Sequence, residues 1–157
     1  MTNNNNDESG EKLIPWQPTT VLKGERGFDY TIEEVLRHND YFKITIKDLH
    51  GNALDILYDD PDNICPLEYY VWGFMYHTEL GSLSRSFEQD ENQTINKDTI
   101  CLYKVEHSDF IKEFNHNPVA NKELYPTLEH HLFMTGDEMV EVLSNYEPRF
   151  VERKGED

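Results

Sequence analysis

The sequence predicts an α+β domain: an antiparallel sheet of about four to six strands, built from hairpins, with two short helices packed on it. Three observations lead there. Apolar and polar residues alternate over 41–58, broken once by turn residues, and two further strand-like runs, 130–135 and 138–144, are joined at Gly136 and Asp137. Two short stretches of helical spacing each follow a Thr or Ser suited to capping. Nowhere does a strand alternate with a long helix, as a parallel sheet requires.

Residues 1–12 form an acidic, Asn-rich tail that buries too little apolar surface to offset its ordering entropy. Leu13, Ile14, Pro15 and Trp16 follow, and Trp16 is placed to dock this arm onto the body. Thr31 and Glu34 have the spacing of a capping box, and Ile32, Val35 and Leu36 then share one face, which predicts a helix over 31–38. Over 41–49, Phe42, Ile44 and Ile46 alternate with Lys43, Thr45 and Lys47, the pattern of a half-buried strand. Turn residues from Asp48 to Asn52 reverse the chain, and Leu54, Ile56 and Tyr58 return in register.

The stretch 69–76 fits either a helix begun at Pro66 or a strand buried on both faces; its aromatic and β-branched content favours the strand. Residues 88–98 read as a polar loop and 100–106 as a strand. Ser108 caps a helix over 109–115, whose Phe110, Ile111 and Phe114 make an apolar patch. Strands over 130–135 and 138–144 turn at Gly136 and Asp137. Glu147 and Pro148 end the order expected of the fold, and 152–157 is a charged tail. One domain over 13–151 is expected.

The chain carries 31 acidic against 14 basic residues, a net charge of -17. Such a surface repels phosphate backbones and anionic membranes, so neither nucleic acid nor membrane is an expected partner. No basic, apolar leader opens the sequence, and Cys65 and Cys101 lie in no Cys-x-x-Cys arrangement, so a cytoplasmic, bacterial-type protein with reduced thiols is expected. No nucleotide-binding glycine motif and no serine-nucleophile elbow occur, and no cofactor is implied.

Candidate chemistry gathers at Glu129, His130 and His131. Neighbours on a strand point to opposite faces, so the two histidines cannot share one ion, and the pattern reads as one packed and one exposed histidine. Glu129 and His131 share a face and form a candidate acid–base pair; His77 and Glu79 are a second such pair. These four would serve a small hydrolase or a metal-dependent enzyme. Asp59, Asp60 and Asp62 offer oxygen ligands of the kind calcium takes, but the glycine and distal glutamate of a calcium loop are missing and Pro61 stiffens the middle, so they read as turn chemistry. The expected function is non-enzymatic: an acidic binding module, an inhibitor or immunity-type partner of a basic protein. Its contacts would be Asp59, Asp60, Asp62, Glu88, Asp90 and Glu91, anchored by Trp16 and Trp72. A self-assembling structural subunit is the remaining alternative.

Overall fold

Two antiparallel sheets face each other across one shared core, in a computed structural model that describes residues 10–16, 21–24, 29–59, 66–82, 87 and 102–155. The strands are β1 (Lys12–Pro15), β2 (Tyr30–Arg37), β3 (Tyr41–Asp48), β4 (Ala53–Asp59), β5 (Val71–Thr78), β6 (Leu102–Glu106), β7 (Glu129–Met134), β8 (Glu138–Ser144) and β9 (Arg149–Arg153). One α-helix, α1 (Asp109–Phe114), lies between β6 and β7. The larger sheet runs β1-β6-β7-β8-β5 and the smaller β2-β3-β4-β9. The fold is therefore nearly all-β, with nine strands and one helix among the described residues rather than the smaller sheet and two helices expected.

Alternation builds the core. Phe42, Ile44 and Ile46 of β3 and Leu54, Ile56 and Tyr58 of β4 turn inward from the smaller sheet. Leu102, Phe133, Val140 and Val142 meet them from the larger one. The hairpin joining β3 to β4 turns through Gly51, whose φ of 80° an L side chain adopts only with strain. Asp48 closes the same turn: its carboxylate accepts from the amides of Lys23, His50 and Asn52 and from the Asn52 side chain. Burial pushes the Asp48 pKa up, but these four bonds together hold it below the ordinary carboxylate value.

The helix predicted over 31–38 is strand β2. A bulge explains the misleading spacing. Ile32 pairs with Ile46 and Val35 with Ile44, while Glu34 pairs with Thr45, so one extra residue lies between the two inward positions. Two apolar residues three apart thus reach the same sheet face without a helix. Order also runs past Pro148, because β9 pairs with β4 and places Glu152 and Arg153 in a ladder, and the Gly155 amide donates to Asn52. Strand β5 matches the favoured assignment over 69–76, but it is an edge strand and not buried on both faces, with Phe74 and Tyr76 exposed.

The outer face of the smaller sheet is a lattice of cross-strand ions. Lys43 meets Glu34, and Lys47 meets Glu33. Asp55 accepts from Thr45 and Arg153, and Arg149 grips Asp59 through two bonds of 2.9 and 2.7 Å. Burial opposes ionisation of Asp55, yet Thr45 and Arg153 prevail and lower its pKa; Arg149 lowers that of Asp59. The outer face of the larger sheet is covered instead by α1 and the segment after it: Phe110 lies against His130, Phe114 and Tyr125 against Trp72.

Candidate functional site

Strand β7 sends His130 and His131 to opposite faces of the larger sheet, as strand geometry requires. Both are buried, however, at 1% and 0% exposure, so the expectation of one exposed histidine does not hold. Each is the centre of a separate polar network.

The inner network lies between the sheets. His131 Nδ1 is 2.6 Å from the Tyr58 hydroxyl, and Trp16 packs on the imidazole with ring centroids 4.7 Å apart. Burial pushes the Tyr58 pKa well above the usual phenol value and that of His131 down, so the phenol keeps its proton and the imidazole is neutral. Tyr58 therefore donates to Nδ1, which leaves the imidazole proton on Nε2, facing Glu129 Oε1 at 3.7 Å. Lys104 contacts Glu129 at 2.8 Å, pairs with Glu147, and caps the Trp16 ring at 4.9 Å. The neighbouring His131 and Lys104 bring Glu129 down to about 2 against the opposing effect of burial. The 3.7 Å gap exceeds hydrogen-bond reach, so Lys104 is the firmer partner.

The outer network joins three elements. Ser108, the N-cap of α1, accepts from the Ile111 amide and sits 2.6 Å from His130 Nδ1. His130 Nε2 lies 2.8 Å from Glu141 Oε1 on β8, and His77 of β5 approaches the other carboxylate oxygen at 3.4 Å. The hydroxyl accepts from Ile111 and still has its own proton to offer Nδ1, while Nε2 faces the Glu141 carboxylate. His107, just before Ser108, has a φ of 55°, the one positive φ at a non-glycine among the described residues. That strained residue turns the chain from β6 into the cap. Two adjoining hollows of about 230 and 430 Å3 flank this turn; His130 lines the smaller, Ser108 the larger, and Ile111 and Lys122 both.

No family model, curated protein or solved structure matches the chain. What the site can do follows from its own geometry.

The four residues expected to act together are split. Glu129 and His131 adjoin on the inner face, whereas His77 belongs to the outer network with His130 and Glu141. Glu79 lies beyond the end of β5 and uses its amide on Asp137. Among the described residues no three His, Cys, Asp or Glu side chains are arranged to hold a metal ion. Of the expected contact residues, Asp59 is engaged by Arg149, and Trp16 and Trp72 are packed within ring clusters. Asp60, Asp62, Glu88, Asp90, Glu91 and both cysteines lie outside the described residues.

Sequence reasoning missed Ser108, His130 and Glu141 as a unit. Each was individually visible as a cap, a strand histidine and a charge in an apolar strand. The last was the usable signal, because a Glu amid Met139, Val140, Val142 and Leu143 must find partners.

Proposed function

We propose that this chain is a non-enzymatic binding module for a basic protein, an inhibitor or immunity-type partner acting in the cytoplasm. The observation that carries the reading is the net charge of -17 on one small domain. Acid in this excess speeds encounter with a basic face and deters nucleic acid and anionic membranes. Support also comes from the ion lattice on the smaller sheet, whose lysines and arginines are spent on neighbouring carboxylates. The test is kinetic. A partner recovered by native co-purification should be basic, and its association rate should fall steeply between 0.1 and 1 M salt, as the Debye length shrinks from about 10 to about 3 Å. A salt-independent rate would leave the acidity as a solubility device.

A second reading, acyl transfer, has one observation in its favour: Ser108, His130 and Glu141 stand in nucleophile, base and carboxylate order beside an open hollow. Against it, the Asp109 amide, which would face an oxyanion, is already bonded to Glu11 at 2.9 Å, and Ser108 is 5% exposed. The arrangement suits a helix pinned to a sheet better than a working nucleophile.

A further inference from the structure

Two sheets have four edges, and three of them are protected in recognisable ways. Strand β2 carries Glu33, Glu34 and Arg37 and a bulge; β9 carries Arg149, Glu152 and Arg153. Strand β1 has only four residues and ends in Pro15. Charges, bulges, proline and shortness are the devices that stop an edge from pairing with another chain. Strand β5 is irregular only at its start, between Val71 and Gly73, and from Gly73 to Thr78 it has none of these protections. Its eight residues include no Asp, Glu, Lys, Arg or Pro.

The ladder phase shows which groups β5 presents. The Glu79 amide bonds to Asp137, so in this register His77 with Met139 and Met75 with Glu141 are the hydrogen-bonded pairs. Phe74 and Tyr76 fall between them and aim their backbone N–H and C=O away from β8. Among the described residues no strand pairs with that side. The same two residues are 44% and 48% exposed, whereas Phe133 on the same face is 0% exposed. The Phe74 ring rests 4.6 Å from Phe42 at the mouth of the core. Backbone groups of Phe74 and Tyr76 without a strand partner among the described residues and two exposed aromatic rings thus coincide.

We propose that the outer edge of β5 accepts an extended, Lys- or Arg-rich segment of a partner protein as an added strand. This rests on the reading of the chain as a binder of a basic protein and locates where it binds. Main-chain bonds to Phe74 and Tyr76 supply affinity, and the two rings seat alternate side chains of the guest. Charge selects the occupant. Glu68 stands before β5, Glu79 after it, and Asp137 and Glu138 on the adjoining turn and strand. A second copy laid antiparallel on this edge would bring Glu68 of one molecule toward Glu79 and Asp137 of the other. A basic segment meets attraction at both ends.

The probe is a capped ten-residue peptide alternating lysine with valine or threonine, titrated into the whole chain while backbone amide signals are followed. Binding should slow exchange of the Phe74 and Tyr76 amides and should vanish when alternate peptide nitrogens are methylated. Tyr76→Pro removes an amide that serves no bond to β8, so the fold should survive while affinity drops about tenfold or more. Should the proline variant fail to fold, Tyr76→Lys keeps the amide and repels the lysine peptide, with the same loss expected. Equal binding of the plain and methylated peptides, or equal binding to a folded Tyr76→Pro protein, overturns the edge and leaves the basic-partner reading standing. A concentration-dependent dimer abolished by Tyr76→Pro also overturns it, by naming a second copy as occupant. If the peptide binds nowhere and the co-purified partner's association rate ignores salt, both readings fall together.

Discussion

The hydroxyl of Tyr58 and Nδ1 of His131 lie 2.6 Å apart across the interface of the two sheets, and this buried bond joins β4 to β7. A desolvated polar atom left without such a partner costs stability. Tyr58→Phe would leave Nδ1 without its donor while keeping the ring volume, and should cost about 1–3 kcal/mol in chemical denaturation. A loss near zero would mean that His131 turns to another partner.

Acid should weaken the protein in two stages. The His131 pKa is lowered by burial, with Glu129 pulling the other way, so below about pH 6.5 the unfolded chain takes up a proton that the folded one resists. Stability therefore declines from there as pH drops. Asp48, Asp55, Asp59 and Glu129 have folded pKa values below their ordinary ones, so what they contribute is complete above about pH 4.5 and is lost as pH falls through those values, for Glu129 about 2. His131→Gln should flatten the upper stage and reduce the share of Glu129 in the lower one, while the shares of Asp48, Asp55 and Asp59 remain. Denaturation midpoints between pH 8 and pH 3 would read this directly, and an unchanged upper stage in the variant would assign it to another histidine.

Ser108→Ala removes both the cap of α1 and the donor to His130. The expected cost is about 1–3 kcal/mol, with α1 released from the sheet. In the intact protein a fluorophosphonate should leave Ser108 unlabelled. Stoichiometric labelling that Ser108→Ala or His130→Gln abolishes would instead establish the acyl-transfer reading.

Deleting Glu33 should excise the bulge of β2 and leave the pairing of Ile32 with Ile46 and Val35 with Ile44 intact. The Glu33–Lys47 ion pair is lost, a change worth about 0–1 kcal/mol at the surface. Thermal unfolding should shift little. A helix in this place would instead be turned by about 100° beyond the deletion, and its buried face would be lost.

That bulge also marks the limit of what could be read in advance. Where alternation was regular, at Phe42 to Ile46, strand and facing followed from period alone. At Ile32 and Val35 one inserted residue gave a strand the spacing of a helix, and Thr31 and Glu34 supplied a false cap. Strands β1 and β9 are short, and Arg149, Glu152 and Arg153 look like a solvated tail unless Asp55 and Asp59 are known to stand opposite. Glu129 and His131 were legible as a pair because residues two apart on a strand share a face. His77, His130 and Glu141 come from three strands, and only the sheet order β7-β8-β5 makes them neighbours.

The pairings of β1 and β9 govern the order in which the protein assembles. Lys12 meets Glu106 and Ala53 meets Arg153, so each closes a loop of about two thirds of the domain, whereas β3–β4 and β7–β8 close across a few residues. Loop entropy makes the two hairpins early and the distant strands late. On the ribosome, a chain lacking β9 holds β4 with one side open, its Asp55 and Asp59 still without their arginines. Strand β9 is therefore the one that covers β4, and until it arrives the nascent protein carries an adhesive β4 edge that the folded sheet does not.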